Sequence, residues 1–195
     1  MPHQAATGPR AAAKRELLLD AAEKVMFDQG YAGVTSRRVG AAAGVPAPLV
    51  HYYFPTLDDL FIAMLRRGLE RSKDGFLAAV RSPEPLRALW ELQLDRRSTS
   101  LTVELVALSN HRPAVREALA DMSREFQQLQ IDELAGVLDR YGVDTDQFPA
   151  ELAVLALGGI ARSIVREGAM GSAVGHDVAL AAIERLIDRL ETGRG

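Results

Sequence analysis

The chain has 195 residues, of which 48% are apolar and 25% are charged, and its formal net charge is −3. This composition is typical of one or two globular domains. Because the sequence contains no cysteine, it excludes disulfides, thiolate nucleophiles and thiolate-bound zinc or iron–sulfur sites. No uncharged run is apolar and unbroken enough for a bilayer span, and the N-terminus lacks the apolar stretch of a signal peptide. We therefore expect a cytoplasmic protein with no membrane contact.

The prolines divide the chain into long proline-free stretches over 56–82, 86–112, 114–148 and 150–195. A proline inside a helix removes a hydrogen bond and clashes with the preceding turn, so each stretch has room for a helix. Apolar residues recur in them at three- and four-residue spacing rather than in the alternation of a strand. The sequence therefore predicts an all-α fold.

The residues before position 56 predict three closely spaced helices. An apolar stripe from Leu18 to Met26 ends at Gly30, a natural helix stop. Thr35 is a candidate N-cap for a short helix, and a tight turn follows at Gly44. Pro46 to Tyr53 form another short helix, whose prolines are tolerated in the first turn because its N–H groups have no intrahelical partner. Two short helices joined at a glycine turn indicate a helix-turn-helix, whose second helix enters a DNA major groove.

A capping-box pattern follows, in which Thr56 and Asp59 are spaced to begin a long helix. The whole stretch from Arg15 to Leu65 resembles the DNA-binding domain of the TetR family of bacterial transcriptional regulators. The matches that carry the resemblance are Ala21-Ala22, Phe27, Gly30-Tyr31, Thr35, Ala43-Gly44-Val45, Tyr53-Phe54 and Leu60. It implies an N-terminal arm and helix-turn-helix domain over 1–55, followed by a larger helical effector-binding and dimerisation domain over 56–195. It also implies a homodimer on a double-stranded DNA operator.

The resemblance supplies the expected DNA contacts. Positions that touch backbone phosphate in the family correspond here to Thr35, Arg37, Tyr53 and Thr56. The exposed side of the recognition helix corresponds to Ala47, Pro48, Leu49, His51 and Tyr52. The chain departs from the family pattern at Pro46, Pro48 and Leu57, where small polar residues, glycine or lysine are usual. Base readout is therefore expected to depend on methyl and aromatic contacts and on His51.

Charge is distributed unevenly along the chain. Residues 1–57 contain six Lys or Arg and four acidic residues, so the rest of the chain carries the negative charge. This asymmetry favours DNA at the N-terminal end. Arg10, Lys14 and Arg15 are candidates for an arm that adds backbone or minor-groove contacts, and a solvated leader is the alternative interpretation.

In this family the C-terminal part holds an effector pocket and a dimer interface. Helices over Pro149–Val165 and His176–Glu191 are expected to form a four-helix bundle with their symmetry mates, the alternative being that they only cover the core of one subunit. Polar or aromatic residues that interrupt apolar stripes are the candidate contacts to a small hydrophobic or amphipathic effector. They are Trp90, Gln93, Asn110, His111, Phe126 and Arg162, and each also fits an ordinary core or surface role.

The combined patterns predict a sequence-specific DNA-binding transcriptional regulator, by family default a repressor that an effector releases from its operator. The alternative, kept open by Pro46, Pro48 and Leu57, is a helical ligand-binding or interaction protein with degenerate DNA binding. An enzyme is not expected, because the histidines are scattered and no metal-protease, nucleophile-elbow, P-loop or dinucleotide-binding motif occurs. We therefore expect no catalytic site, no metal and no cofactor.

Overall fold

A computed structural model describes residues 8–95 and 104–193. The described part is helical and contains no strand, which confirms the all-α prediction. A short 3-10 turn, Tyr31–Gly33, follows the first helix. The helices are α1 (Pro9–Gln29), α2 (Ser36–Ala42), α3 (Ala47–Tyr53), α4 (Leu57–Val80), α5 (Pro85–Gln93), α6 (104–109), α7 (Pro113–Arg140), α8 (Ala150–Ala169) and α9 (His176–Thr192).

The described chain packs as two compact units. Unit 1 comprises residues 8–68 and 104–122, and unit 2 comprises residues 69–95 and 123–193. Helices α4 and α7 therefore contribute to both units. The predicted boundary after residue 55, between a DNA-binding domain and an effector-binding and dimerisation domain, stays a prediction.

Unit 1 is built around one apolar cluster. The stripe predicted on α1 is buried, with Leu18 and Ala22 fully inaccessible to solvent. Val39 of α2 and Val50 of α3 join it, so both short helices are held from the inside. The cluster is completed by residues of α4, α6 and α7, including Leu60, Phe61, Met64, Leu105, Leu108 and Val115. Burial of these side chains is the main force that holds the small helices in place.

Arg67 of α4 ties that helix to α1. Its guanidinium contacts the carboxylates of Glu16, Asp20 and Glu23 at 3.1, 2.7 and 2.9 Å. Burial opposes the charge of Arg67, but hydrogen bonds to these carboxylates outweigh it and raise the pKa of the guanidinium. Removing Arg67 would leave three carboxylates along one face of α1 without their shared partner.

Unit 2 has its own apolar cluster, to which α5, α7, α8 and α9 contribute. Trp90 of α5 is only 2% exposed, and the rings of Phe76 and Phe126 meet edge to face at 5.9 Å. The first turn of α5 is capped by a residue that is distant in the sequence. Glu191 of α9 accepts hydrogen bonds from the backbone N–H groups of Leu86 and Arg87. The two helices are thereby joined at one end.

Several boundaries differ from the sequence prediction. The stretch 86–112 holds two separate helices in its described part, α5 and α6, with residues 96–103 outside the described ranges. Helix α8 continues past Val165 to Ala169. Gly168 keeps a helical backbone, and the first glycines with positive φ after Val165 are Gly171 and Gly175. Helix α9 begins at His176 as predicted. None of the described helices is long and apolar enough to cross a membrane.

Candidate DNA-binding surface and effector region

The turn between α2 and α3 is set by two glycines. A β-carbon on Gly40 would lie 2.8 Å from the carbonyl oxygen of Val45 and 3.3 Å from the backbone nitrogen of Ala47. Only glycine allows this approach of the two helices without movement of backbone. Gly44 supplies the positive φ, +66°, that reverses the chain. Thr35 caps α2 as predicted, its hydroxyl accepting a hydrogen bond from the Arg38 N–H at 3.2 Å.

Helix α3 begins one residue later than predicted. Pro46 is its N-cap and Pro48 lies in its first turn, where the missing proline N–H costs no intrahelical hydrogen bond. Val50 is 1% exposed and anchors the inner side of the helix. The Phe54 N–H donates to the Val50 carbonyl at 2.8 Å and ends the helix. Burial of Val50 thus fixes the orientation of α3 and leaves its other side facing solvent.

The predicted DNA contacts all lie in unit 1. On α3, Pro48, His51 and Tyr52 are exposed, whereas Ala47, Leu49 and Tyr53 are half-buried. Arg37 and Thr56 are exposed and Thr35 is half-buried. The outer side of α3 carries no acidic residue, and the Tyr52 ring meets the Tyr53 ring edge to face at 5.2 Å. The helix thus presents a neutral, largely aromatic surface.

The predicted capping box at the start of α4 is formed. The Asp59 N–H donates to the Thr56 hydroxyl at 3.1 Å, and the Thr56 N–H donates to the Asp59 carboxylate at 2.9 Å. The Thr56 hydroxyl also donates a hydrogen bond to that carboxylate at 2.7 Å. Thr56 therefore directs both of its donors at Asp59, and a phosphate contact would have to compete with Asp59.

The basic residues of the expected arm are helical. Arg10, Lys14 and Arg15 all lie on α1, which begins at Pro9, and their contacts with DNA stay a prediction. The Arg15 guanidinium lies 5.1 Å from the centre of the Phe54 ring, the residue that ends α3. Residues 1–7 lie outside the described part of the chain.

Helix α6 and the residues that follow it contact the region around the helix-turn-helix within unit 1. The Glu104 carboxylate accepts the Tyr31 N–H at 2.9 Å, and the ring of His111 stacks on that of Tyr31 with centroids 6.5 Å apart. These contacts hold the 3-10 turn that leads into α2. The sequence offered no local signal for them, because the partners are far apart in the chain.

An ion pair between Arg112 and Asp58 holds the start of α4 in the same way. The Arg112 guanidinium also lies 5.3 Å from the centre of the Phe61 ring. Beside this pair is a cleft of about 640 Å³ to which His111 contributes. Thr35, the N-cap of α2, lines the same cleft as Arg112 and Asp58. The ion pair therefore holds the first turn of α4 near the start of α2.

The predicted effector contacts are divided between the units. Asn110 and His111 belong to unit 1, whereas Trp90, Gln93, Phe126 and Arg162 belong to unit 2. Trp90 and Phe126 pack in the same apolar cluster. Arg162 is exposed and folds back along α8, over Gly158. Trp90 and Phe126 are thus the members of this set that share one apolar cluster.

In the described part of unit 2, three buried polar side-chain atoms have no hydrogen-bond partner. They are Ser82 Oγ, Trp90 Nε1 and Glu191 Oε2. A buried polar atom without a partner costs about 1–3 kcal/mol, so such atoms mark places where a partner is missing. Sequence reasoning identified Trp90 but not Ser82 or Glu191, because neither stands out in its local pattern.

Helices α8 and α9 expose several large apolar side chains. Leu155 is 63% exposed on α8 and Val178 is 73% exposed on α9. Leu152, Ile160 and Leu186 are also exposed on these two helices. Patches of this kind usually mark an interaction surface.

The comparisons with known proteins agree with this geometry. The family model described as "Bacterial regulatory proteins, tetR family" matches residues 18–64. A curated relative, the HTH-type transcriptional regulator BetI of Rhizobium meliloti (strain 1021), is 38% identical over 69 residues. That alignment covers 35% of this chain and 34% of BetI, so the chain matches about a third of the length of that relative.

Solved structures extend the likeness to most of the chain. The multidrug binding protein EbrR, complexed with imidazole, is 28% identical with a TM-score of 0.61, covering 89% of this chain and 94% of EbrR. A TetR transcription regulator from Haloarcula marismortui shares the fold at 20% identity, with a TM-score of 0.70 over 93% of this chain and 98% of that one. Residues 18–64 thus match the model of the TetR family of bacterial regulatory proteins, and the all-helical fold of the described chain is that of solved structures of TetR-family regulators.

Proposed function

We propose that the protein is a sequence-specific DNA-binding transcriptional regulator that acts as a homodimer and responds to a small-molecule effector. The observation that carries the proposal is helix α3, whose inner side is anchored by Val50 while His51 and Tyr52 remain exposed. A short helix held this way after a glycine turn is what enters a major groove. The match of residues 18–64 to this family's model supports a regulator rather than an enzyme, and we propose that it acts on DNA in the cytoplasm.

The chemistry of α3 supports readout by apolar contact. Leu49 and Tyr52 offer groups that suit thymine methyls, and His51 is the single side chain on the helix with ring nitrogens for a base edge. Thr35, Arg37 and Tyr53 are proposed to contact phosphates, which fix register without reading sequence. We therefore expect A·T pairs among the bases that α3 contacts.

Homodimerisation is proposed to use α8 and α9. Their exposed apolar residues would be covered by the same surface of a second copy. Leu155→Glu should shift the protein to a monomer in analytical ultracentrifugation, because it introduces a charge into that surface. Phe27→Glu is the matched control, since Phe27 on α1 is also 63% exposed but lies outside α8 and α9. A dimer that survives Leu155→Glu would contradict this interface.

Effector release is proposed to act through α4. This helix contributes to both units. A ligand that binds one conformation of unit 2 more tightly than another is therefore proposed to shift the equilibrium between conformations of unit 1, to the extent that the two affinities differ. The related protein EbrR has been crystallised in complex with imidazole and with proflavin. These two compounds are reasonable first probes for a hydrophobic or amphipathic site here.

Selection of bound sequences from random DNA tests the proposal most directly. A regulator should enrich a pseudo-palindrome, and both His51→Ala and Tyr52→Ala should weaken its binding. Gln128→Ala, an exposed change on α7, should leave operator affinity unchanged. Binding to any sequence with strong salt dependence would instead favour a helical ligand-binding protein with degenerate DNA binding, the alternative that Pro46, Pro48 and Leu57 keep open.

A further inference from the structure

The cleft beside the Arg112–Asp58 ion pair lies wholly within unit 1, since every residue that lines it belongs to that unit. Its volume of about 640 Å³ falls within the range of small-molecule sites. Its apolar lining includes Phe61 and Leu108, both almost fully buried, and the half-buried Leu57. The cleft thus offers a small molecule both space and an apolar wall.

The polar lining of the cleft contains a guanidinium and an imidazole. The Arg112 guanidinium pairs with the Asp58 carboxylate and lies 5.3 Å from the centre of the Phe61 ring. The His111 ring stacks on the Tyr31 ring, with centroids 6.5 Å apart and planes inclined by 25°. A guanidinium presents its N–H donors in a planar fork that suits a carboxylate. The lining is therefore complementary to an aromatic anion, with a cation for its charge and rings for its flat face.

The ion pair that Arg112 makes is open to exchange. The Arg112 and Asp58 side chains are 35% and 33% exposed, and an ion pair that water reaches contributes little to stability. Asp58 lies in the first turn of α4, where the helix dipole stabilises a carboxylate even without a cationic side chain. A carboxylate that enters the cleft can therefore replace Asp58 on Arg112 without leaving a buried charge unpaired.

We infer that this cleft is a binding site for a flat aromatic carboxylate, which pairs with Arg112 in place of Asp58. The ring of the acid packs against the apolar wall at Phe61 and beside the rings of Tyr31 and His111. Among the predicted effector contacts, His111 is the one that lines this cleft. Binding of the acid depends on the cleft alone, whereas its effect on DNA rests on the proposed function.

Binding at this cleft acts directly on the unit that carries the recognition helix. The Arg112–Asp58 pair holds the first turn of α4 near the start of α2, whose N-cap, Thr35, lines the cleft. A bound carboxylate releases Asp58 from Arg112 and adds negative charge near Thr35, one of the proposed phosphate contacts. Both changes oppose binding to DNA, the second because like charges repel. The acid is therefore expected to lower operator affinity from within unit 1.

Calorimetric titration with 2-naphthoate and 2-naphthamide tests the site, because the two compounds have nearly the same shape and differ in charge. We expect 2-naphthoate to bind about tenfold or more tightly than 2-naphthamide. Arg112→Met should weaken 2-naphthoate binding by about the same factor. Arg116→Met is the matched control, since Arg116 is an exposed arginine of α7 that does not line the cleft, and it should leave the affinity within about twofold.

Asp58→Asn separates a binding role of Arg112 from a structural one. Asparagine has nearly the shape of aspartate but no charge with which to compete for the guanidinium. The affinity for 2-naphthoate should therefore rise by about twofold to fivefold. An Arg112–Asp58 pair that served only to hold the fold would give no such gain. Because the expected change is a gain, a variant that folds poorly cannot produce it.

Four results would overturn the inference. They are no heat of binding at millimolar 2-naphthoate, equal affinities for the acid and the amide, an unchanged affinity in Arg112→Met, and no gain in Asp58→Asn.

The effect on DNA is measured by fluorescence anisotropy with the operator that random selection yields. Saturating 2-naphthoate should lower operator affinity about tenfold, and 2-naphthamide at the same concentration should not. Binding of 2-naphthoate that leaves operator affinity unchanged would overturn the regulatory step. A dimer that selects an operator and ignores 2-naphthoate sinks this inference and leaves the proposed function standing. A protein that binds 2-naphthoate through Arg112 but selects no operator has the opposite meaning.

Discussion

Replacing Gly40 with alanine tests the packing that sets the recognition helix. The new β-carbon would lie 2.8 Å from the Val45 carbonyl oxygen and 3.3–3.4 Å from backbone atoms of Ala47. All three neighbours are backbone, so they cannot rotate away as a flexible side chain would. An ordinary van der Waals contact begins near 3.4 Å, so the backbone around α3 has to shift by roughly half an ångström to relieve the clash. A displacement of about that size is the largest at which binding residues keep their productive geometry.

The net effect combines two terms of opposite sign. Overpacking costs about 1–3 kcal/mol, whereas alanine in place of glycine favours a helix by about 0.5–1 kcal/mol. We therefore expect Gly40→Ala to destabilise unit 1 by about 1–2 kcal/mol, which lowers the melting temperature by about 2–8 °C. Operator affinity should fall about tenfold, corresponding to about 1.4 kcal/mol.

Gly136→Ala is the matched control. Gly136 is exposed on α7, and nothing lies within 4 Å of a β-carbon placed there. The same chemical change should stabilise the protein there by about 0.5–1 kcal/mol and leave operator affinity unchanged. Calorimetry and fluorescence anisotropy with labelled operator give both quantities. A Gly40→Ala variant as stable as the parent and equal to it in affinity would refute the packing argument.

Three further predictions concern charged residues. Arg67→Met should lower the free energy of unfolding by about 1–3 kcal/mol, measured by urea denaturation, because it removes the cation that three carboxylates of α1 share; an unchanged midpoint would contradict this. Arg37→Gln should lower the slope of log affinity against log salt by about 0.9 for each phosphate that the protein no longer neutralises, whereas Lys24→Gln on α1 should not. Glu167 accepts hydrogen bonds from His176 and Ser163, which lower its pKa below the ordinary 4.5. A lowered pKa stabilises the fold above pH 4.5 and that effect disappears as the pH falls through the lowered value. The stability difference between the parent and Glu167→Gln should thus shrink below pH 4.5, and a constant difference would contradict the pairing.

Local signals were enough to predict the helix-turn-helix. The Thr35 cap, the Gly44 turn and the Thr56–Asp59 capping box each involve residues within four positions of one another, and each is formed as expected. Such short-range patterns depend on backbone geometry that the neighbouring residues determine. The start of α1 at Pro9 was not anticipated, because its first residues carry no apolar stripe.

The contacts that position these helices depended on the tertiary structure. Glu104 reaches Tyr31 across 73 positions of sequence, and Arg112 reaches Asp58 across 54. No local pattern distinguishes these side chains from the other charged residues of the chain. Their partners became visible only when α6 and α7 packed within unit 1.

The amino-acid sequence by itself determined the helical class, the order of most helices and the surface that α3 presents, because helix periodicity and caps are local properties. Only the tertiary structure decided that Glu191 accepts the N–H of Leu86, 105 positions earlier in the chain, and that Trp90 is buried with its indole N–H unpaired. Burial and hydrogen-bond satisfaction are properties of an environment, and the environment exists only after distant segments have packed.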